Sequence, residues 1–208
     1  PQDFPAEIMG IEGGSGINQR VSYLRRTKSG YIDTGVKGNN PNLSITARFA
    51  FKVLPTGYWN VIYAYENESS NATRIICNGT KYIYGSLNTI ASSSASLAQT
   101  LYKDVIYTAK LYASSATTIS LSVNGVSATT GRKDGTPIDK NLIIFSGSAD
   151  NVEIELYSLE IVDNGVLIRD FFPHYKDGEF GLCDAVGNRF YGNSGAGTFG
   201  GQIINING

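Results

Sequence analysis

The stretch Glu153-Ile154-Glu155-Leu156-Tyr157-Ser158-Leu159-Glu160-Ile161-Val162, then Asp163-Asn164-Gly165, then Val166-Leu167-Ile168-Arg169-Asp170-Phe171-Phe172-Pro173, decides the fold of this 208-residue chain. Two apolar runs joined by a Gly-containing turn are the strongest short-range signal of a β-hairpin. Asp, Asn and Gly tolerate the positive φ that a tight turn between twisted strands demands. Within the first run the apolar phase slips. Val152, Ile154 and Leu156 share one face, whereas Tyr157, Leu159 and Ile161 share the other. Either a β-bulge near Leu156-Tyr157 or a strand buried on both sides produces that pattern.

Working outward, Leu43–Val53 alternates strictly: Leu43, Ile45, Ala47, Phe49, Phe51 and Val53 fall on one face, with Ser44, Thr46, Arg48, Ala50 and Lys52 on the other. That period of two marks a half-buried antiparallel strand. Tyr58–Tyr65 carries aromatics on both faces, and Asn78-Gly79 and Asn124-Gly125 read as further hairpin turns. The Ser/Ala-rich segment 91–98 reads as a loop or a weak edge strand. Val105, Tyr107, Ala109 and Leu111 alternate again, and Asn141–Phe145 reads as a short run buried on both faces. Turn signals recur about every ten residues and no amphipathic helical period is present, which predicts an all-β sandwich. The division expected is an N-terminal arm over 1–20, one domain over 21–201 and a C-terminal tail over 202–208.

Net charge is −1 and the sequence pI is near 5.9, with basic residues scattered along the chain. A nucleic-acid footprint needs a clustered phosphate-neutralising patch, and Arg25-Arg26 with Lys28 is too short to be one. No apolar run is long enough for a membrane-spanning helix, so membrane insertion is not expected. Cys77 and Cys183 permit one disulfide and read more simply as two buried thiols.

At Glu153–Phe199 the chain resembles the closing strands of LamG-like, concanavalin A-like jelly-roll domains, the branch abundant in gut-bacterial surface proteins and their phages. The resemblance rests on Ile154–Pro173, on Gly181-Leu182-Cys183-Asp184, and on the ending Arg189-Phe190-Tyr191-Gly192-Asn193-Ser194-Gly195-Ala196-Gly197-Thr198-Phe199. The opening Tyr23-Leu24-Arg25-Arg26-Thr27 with Tyr31-Ile32-Asp33-Thr34-Gly35 resembles that group's usual start. It implies a two-sheet antiparallel jelly-roll sandwich, a non-catalytic role in adhesion or glycan binding, and a place outside the cell, at its surface or in a virion.

Residues able to do chemistry are few. Glu153 and Glu155 lie on one strand face, roughly 6–7 Å apart by strand rise, near the spacing of paired glycosidase carboxylates. The glucanase pattern on this fold places a further acid where this chain has Ser158, so a solvated polar edge is the simpler reading. The sole histidine, His174, follows Phe171-Phe172-Pro173 and has no Gly-x-Ser-x-Gly elbow to serve. Cys77, Cys183 and His174 lack zinc-ligand spacing. Asp150-Asn151 and Asp163-Asn164 offer oxygens for calcium but read first as turn residues. No cofactor or metal is therefore expected.

Aromatic residues make the stronger case. Trp59, Tyr63 and Tyr65 fall on one face of their strand by simple alternation, and Tyr82 with Tyr84 lie on a neighbouring strand near a rim. Aromatic rings stack on the apolar faces of sugars, while Asn60, Asn67, Asn71 and Asn78 could satisfy hydroxyls. A sandwich must also fill two inner faces, so one aromatic row of this strand belongs to the core. The expectation is a non-catalytic module recognising a glycan or host cell-surface ligand. A structural phage component gripping neighbouring virion subunits through its termini is the alternative, and glycoside hydrolysis the remote third.

Overall fold

The computed structural model describes residues 18–26, 29–67, 69–146 and 152–204. These residues form strands and turns only. In chain order the strands are β1 Asn18–Arg26, β2 Ile32–Lys37, β3 Leu43–Val53, β4 Tyr58–Ala64, β5 Asn71–Asn78, β6 Tyr82–Ile90, β7 Ala95–Ala98 and β8 Ile106–Ser115. They continue as β9 Thr118–Val123, β10 Val126–Gly131, β11 Asn141–Ser146, β12 Glu153–Asp163, β13 Val166–Lys176, β14 Glu179–Asp184, β15 Arg189–Tyr191 and β16 Phe199–Ile203.

Two sheets result. The larger has ten strands in the order β10-β9-β8-β3-β12-β1-β13-β14-β15, with β16 attached to β1; the smaller runs β2-β11-β4-β5-β6-β7. Pairings between these strands are antiparallel. The expected hairpin is present as β12–β13, its turn made by Asn164 and Gly165 at φ 49° and 82°. The Ser/Ala segment contributes β7 as the edge of the small sheet, with Ala95 and Leu97 inward.

The core lies between the sheets. Phe49, Phe51, Trp59, Tyr107, Phe145, Leu156 and Ile161 are almost wholly buried there. Phe51 and Phe145 each meet the Trp59 ring at 6.2 Å. Where β6 crosses the large sheet the layers come so close that a Cβ on Gly85 would stand 2.8 Å from Leu111 and 3.2 Å from Leu121. Glycine is required there by contact, not by backbone angle.

Two bulges set which side chains face out. In β12, Leu156 pairs with Phe49 and Ser158 with Arg48, leaving Tyr157 as the extra residue. Of the two sequence alternatives, the bulge is the one found. In β4, Asn60 pairs with Ile76 and Ile62 with Ile75, leaving Val61 extra. An inserted residue flips the alternation beyond it, with consequences for the site described below.

The closing segment explains its own motifs. Asp184 is fully buried and accepts from the backbone N–H groups of Asp170 (2.9 Å), Val186 (3.1 Å) and Gly187 (3.1 Å). Arg169 stands 3.6 Å from it and reaches toward the Thr34 carbonyl of the small sheet. Asn193 ties the glycine-rich ending: its Oδ1 accepts from Tyr31 N and Gly195 N, and its Nδ2 donates to the carbonyls of Gly195 and Gly197. The sheet extends into the ranges expected as arm and tail, since β1 begins at Asn18 and β16 includes Gln202 and Ile203. The rest of the arm, and Ile206, lie outside the described residues.

Candidate functional site

The bulge at Val61 divides the aromatic row that simple alternation would assemble. Trp59 and Val61 point into the core, but beyond the bulge so do Ile62 and Ala64. Tyr63 and Tyr65 are thereby turned to the outer face of the small sheet, the side of Tyr58 and Asn60. Trp59 is 0% exposed between Phe51, Phe145 and the Arg26 guanidinium. The expectation that Trp59 contacts a ligand is therefore corrected: it is a core residue, with no ring face left to offer.

Tyr58 takes its place. It is 63% exposed and its ring centroid lies 6.4 Å from that of Tyr84, which in turn stacks on Tyr82 at 6.0 Å and 29°. Cross-strand register builds this cluster. Tyr58 stands opposite Asn78, and Asn78 opposite Tyr82; Asn60, Ile76 and Tyr84 form the next row. The three tyrosines make ring contacts with one another and, among the described residues, with no other aromatic group. A contiguous aromatic surface facing water is the kind of feature that marks a binding site.

At the other end of β4 the same face opens into a cleft of about 260 Å³ lined by Tyr63, Tyr65, Asp33, Lys37, Asp139 and Asn141, among others. Asp33 accepts two bonds from Asn141 Nδ2, at 3.0 and 3.2 Å, and one from Gly35 N at 2.8 Å. Lys37 and Asp139 pair at 2.7 Å, and the lysine holds the Asp139 carboxyl below its usual range. The Arg74 guanidinium lies 5.1 Å from the Tyr65 ring centroid. Aromatic walls and convergent hydrogen-bonding groups thus meet in one concavity.

The asparagines separate by role. Asn60 and Asn78 are half-buried in the rows beside the tyrosines, and Asn60 Oδ1 has no hydrogen-bond partner. Asn71 is 5% exposed, accepts from Gly135 N at 2.7 Å and donates to Asn88, so its amide belongs to the framework. Asn67 Oδ1 accepts from Ser69 N at 3.0 Å, closing a turn.

Glu155 departs from expectation. It is 2% exposed instead of solvated, although it projects on the outer side of the large sheet. Arg25 donates to Oε1 through Nε at 3.1 Å and also through Nη2, and the Tyr157 hydroxyl donates to Oε2 at 2.8 Å. Burial, and then this bond, push the Tyr157 phenol up to about 12. Both carboxylate oxygens of Glu155 are thus engaged within the sheet, and the position of the further acid is held by Ser158.

His174 packs against Phe172 and Phe190 with both ring nitrogens shielded and unpartnered. Burial, Lys176 and Arg20 lower its pKa. Asp163 accepts from Asn164 Nδ2 at 2.7 Å within its own turn, while Asp150-Asn151 lies outside the described residues. Among the described residues no group of three or more His, Cys, Asp or Glu side chains could hold a metal. Cys77 and Cys183 are buried free thiols in different sheets.

Sequence reasoning missed Tyr58 and the Asp33–Asn141 pair. The first had a signal: if Trp59 fills the core, its neighbour on a strand must face out. The second joins residues 108 positions apart and had none.

No family model and no curated protein matches the chain. Solved structures do. A mutant of HCR/D is 14% identical with a TM-score of 0.51, the match covering 73% of this chain and 41% of that one. A structure from work in which cell entry of botulinum neurotoxin type C depends on interaction with two ganglioside molecules is 13% identical, TM-score 0.42, covering 57% of this chain and 31% of that one. The alginate lyase AlgAT5 of polysaccharide lyase family 7 is 14% identical, TM-score 0.40, covering 73% and 63%. The chain spans less than two thirds of the length of each. At 14% identity and a TM-score of 0.51 the first of these likenesses concerns the fold alone, in keeping with the all-β, two-sheet antiparallel sandwich described above.

Proposed function

We propose that this domain is a non-catalytic glycan-binding module of the LamG-like type, working outside the cell or at a surface, with the outer face of the small sheet as its site. The observation that carries the reading is the run Tyr58–Tyr84–Tyr82: a half-buried central ring that contacts two solvent-exposed rings on one sheet face. Leaving such apolar area in water gains nothing for folding. It does supply a platform on which pyranose rings stack, with Asn60 and Asn78 beside it for hydroxyls. A glycan array followed by titration calorimetry, on the wild type and on Tyr58→Ala and Tyr84→Ala, tests this. Binding weakened in both variants supports it; no binding above background, or binding that neither variant weakens, sinks it.

A second reading, a structural component of a phage particle, draws on Ile204, which is 40% exposed where β16 ends. Assembly with virion subunits through that end predicts a self-associating or co-assembling protein. A strictly monomeric protein by sedimentation that co-purifies with no particle removes its support.

A further inference from the structure

We infer that the ligand of this face is an extended, neutral polysaccharide chain lying along β4, contacting the platform at one end and the Tyr63–Tyr65 cleft at the other. The inference rests on the glycan reading above and specifies its ligand.

Its basis is the bulge at Val61. A bulge disrupts the ladder and is found where a side chain must be re-aimed. Here it sets Tyr58, Asn60, Tyr63 and Tyr65 on one face; a regular strand would have sent Tyr63 and Tyr65 to the side of Trp59. Five positions separate Tyr58 from Tyr63, one of them taken up by the bulge, so the two aromatic ends stand roughly 13–16 Å apart by strand rise, about three sugar rings in a linear chain. Asn60 lies between them, half-buried, with its side chain in the same outer row. The order along the strand is stacking surface, hydrogen-bonding group, stacking surface, which suits a chain with repeated apolar faces and intervening hydroxyls. A terminal sugar would occupy one end only.

Charge points to a neutral chain. The platform rows consist of Tyr58, Asn78, Tyr82, Asn60, Ile76 and Tyr84. The cleft carries Lys37 and Lys140 against Asp33 and Asp139, two charges of each sign, with Lys37 paired to Asp139, Asp33 engaged by Asn141 and Gly35 N, and Arg74 lying against the Tyr65 ring. A polyanion would meet as many carboxylates as lysines in the cleft lining and no charged side chain in the platform rows.

The test is calorimetric titration of the full chain with di-, tetra- and hexasaccharides of linear neutral series (cello-, xylo- and manno-oligosaccharides), with oligogalacturonates as the charged control. In one neutral series affinity should rise about tenfold or more from di- to hexasaccharide. The double variant Tyr63→Ala/Tyr65→Ala should remove that gain, leaving the hexasaccharide at the disaccharide level, while Tyr58→Ala weakens every length. Equal affinity at all lengths, an unaffected double variant, or preference for the oligogalacturonates with steep salt dependence overturns the inference. So does an array response confined to branched or terminal structures. In each of those cases binding that Tyr58→Ala abolishes leaves the glycan reading standing; no response in any series or on the array fells both.

Discussion

The outer face of the large sheet and the tyrosine end of the small one treat their side chains in opposite ways. On the large sheet, polar side chains satisfy one another: Arg25 and Tyr157 hold Glu155, Lys52 pairs with Asp104, and the Tyr23 and Tyr157 rings carry Arg25 and Arg48. On the small sheet, Tyr58, Tyr82 and Tyr84 meet only each other's rings among the described residues, beside an Asn60 oxygen with no donor. A closed network leaves little free energy for a guest, because a ligand must first break bonds already made. An exposed aromatic surface has no such bonds to break before a guest stacks on it. The proposed site therefore rests on exposed stacking surface and not on charge density.

The contrast can be broken first at β4, where adjacent residues belong to different worlds. Trp59→Ala should cost about 3–5 kcal/mol, the range for truncating a buried aromatic, read as a large fall in the urea midpoint. Tyr58→Ala should stay within about 0.5 kcal/mol of wild type, as surface changes do. If both variants lose stability alike, the division of the strand at Val61 is wrong.

On the large sheet, Glu155→Gln should destabilise by about 1–3 kcal/mol, the order for losing a charge-assisted hydrogen bond at a buried site, discounted because Arg25 is partly exposed. Glycan binding should be unchanged in that variant. A binding defect without a stability defect would move the site to the other face.

On the small sheet, Tyr84→Ala should lower affinity about tenfold, near 1.4 kcal/mol, because it is the ring that bridges Tyr58 and Tyr82. Tyr82→Ala should do less, since it removes the end of the row.

The smallest effect is one of pH. His174 has a folded pKa lowered from 6.5 by burial, Lys176 and Arg20, so the unfolded chain binds its proton more readily. Its contribution to stability is full above about pH 6.5 and is lost as pH falls through that value toward the folded pKa. The urea midpoint of the wild type should drop from pH 7.5 to 5.5, and His174→Gln should flatten that part of the profile. An unchanged slope in the variant would assign the titration to other groups.

The sheet framework was legible because period-two alternation and Asn-Gly turns are local. The bulge at Tyr157 is legible as one of two alternatives, since the phase slips between Leu156 and Leu159, and the register decides for it. The bulge at Val61 was not. From Tyr58 to Tyr65 every residue but Asn60 is apolar or aromatic, so either phase fills a core equally well. Trp59, Tyr63 and Tyr65 were consequently grouped together, and the structure separates them. Glu155 was misread as solvated because the guanidinium that covers it lies 130 positions away, and no periodicity reports such a partner. Tyr82 and Tyr84 are chosen from the sequence because a short hairpin flanked by glycine tends to lie near a rim, and Tyr82 is 40% exposed.

The pairing of β1 with β16 has a mechanical consequence. Val21 faces Ile203 and Arg26 faces Phe199, antiparallel, and Ile204 N bonds to the Arg20 carbonyl. Tension applied through the residues flanking this pair loads the ladder at its Ile203 end alone, so its rungs open one after another, a zipper rather than a lap joint. Rupture of β16 should therefore need little force and should stop at the Asn193 knot, whose bonds to Tyr31, Gly195 and Gly197 are loaded together. A domain anchored through that seam would lengthen under drag by a short, reversible step while its tyrosine face stayed intact.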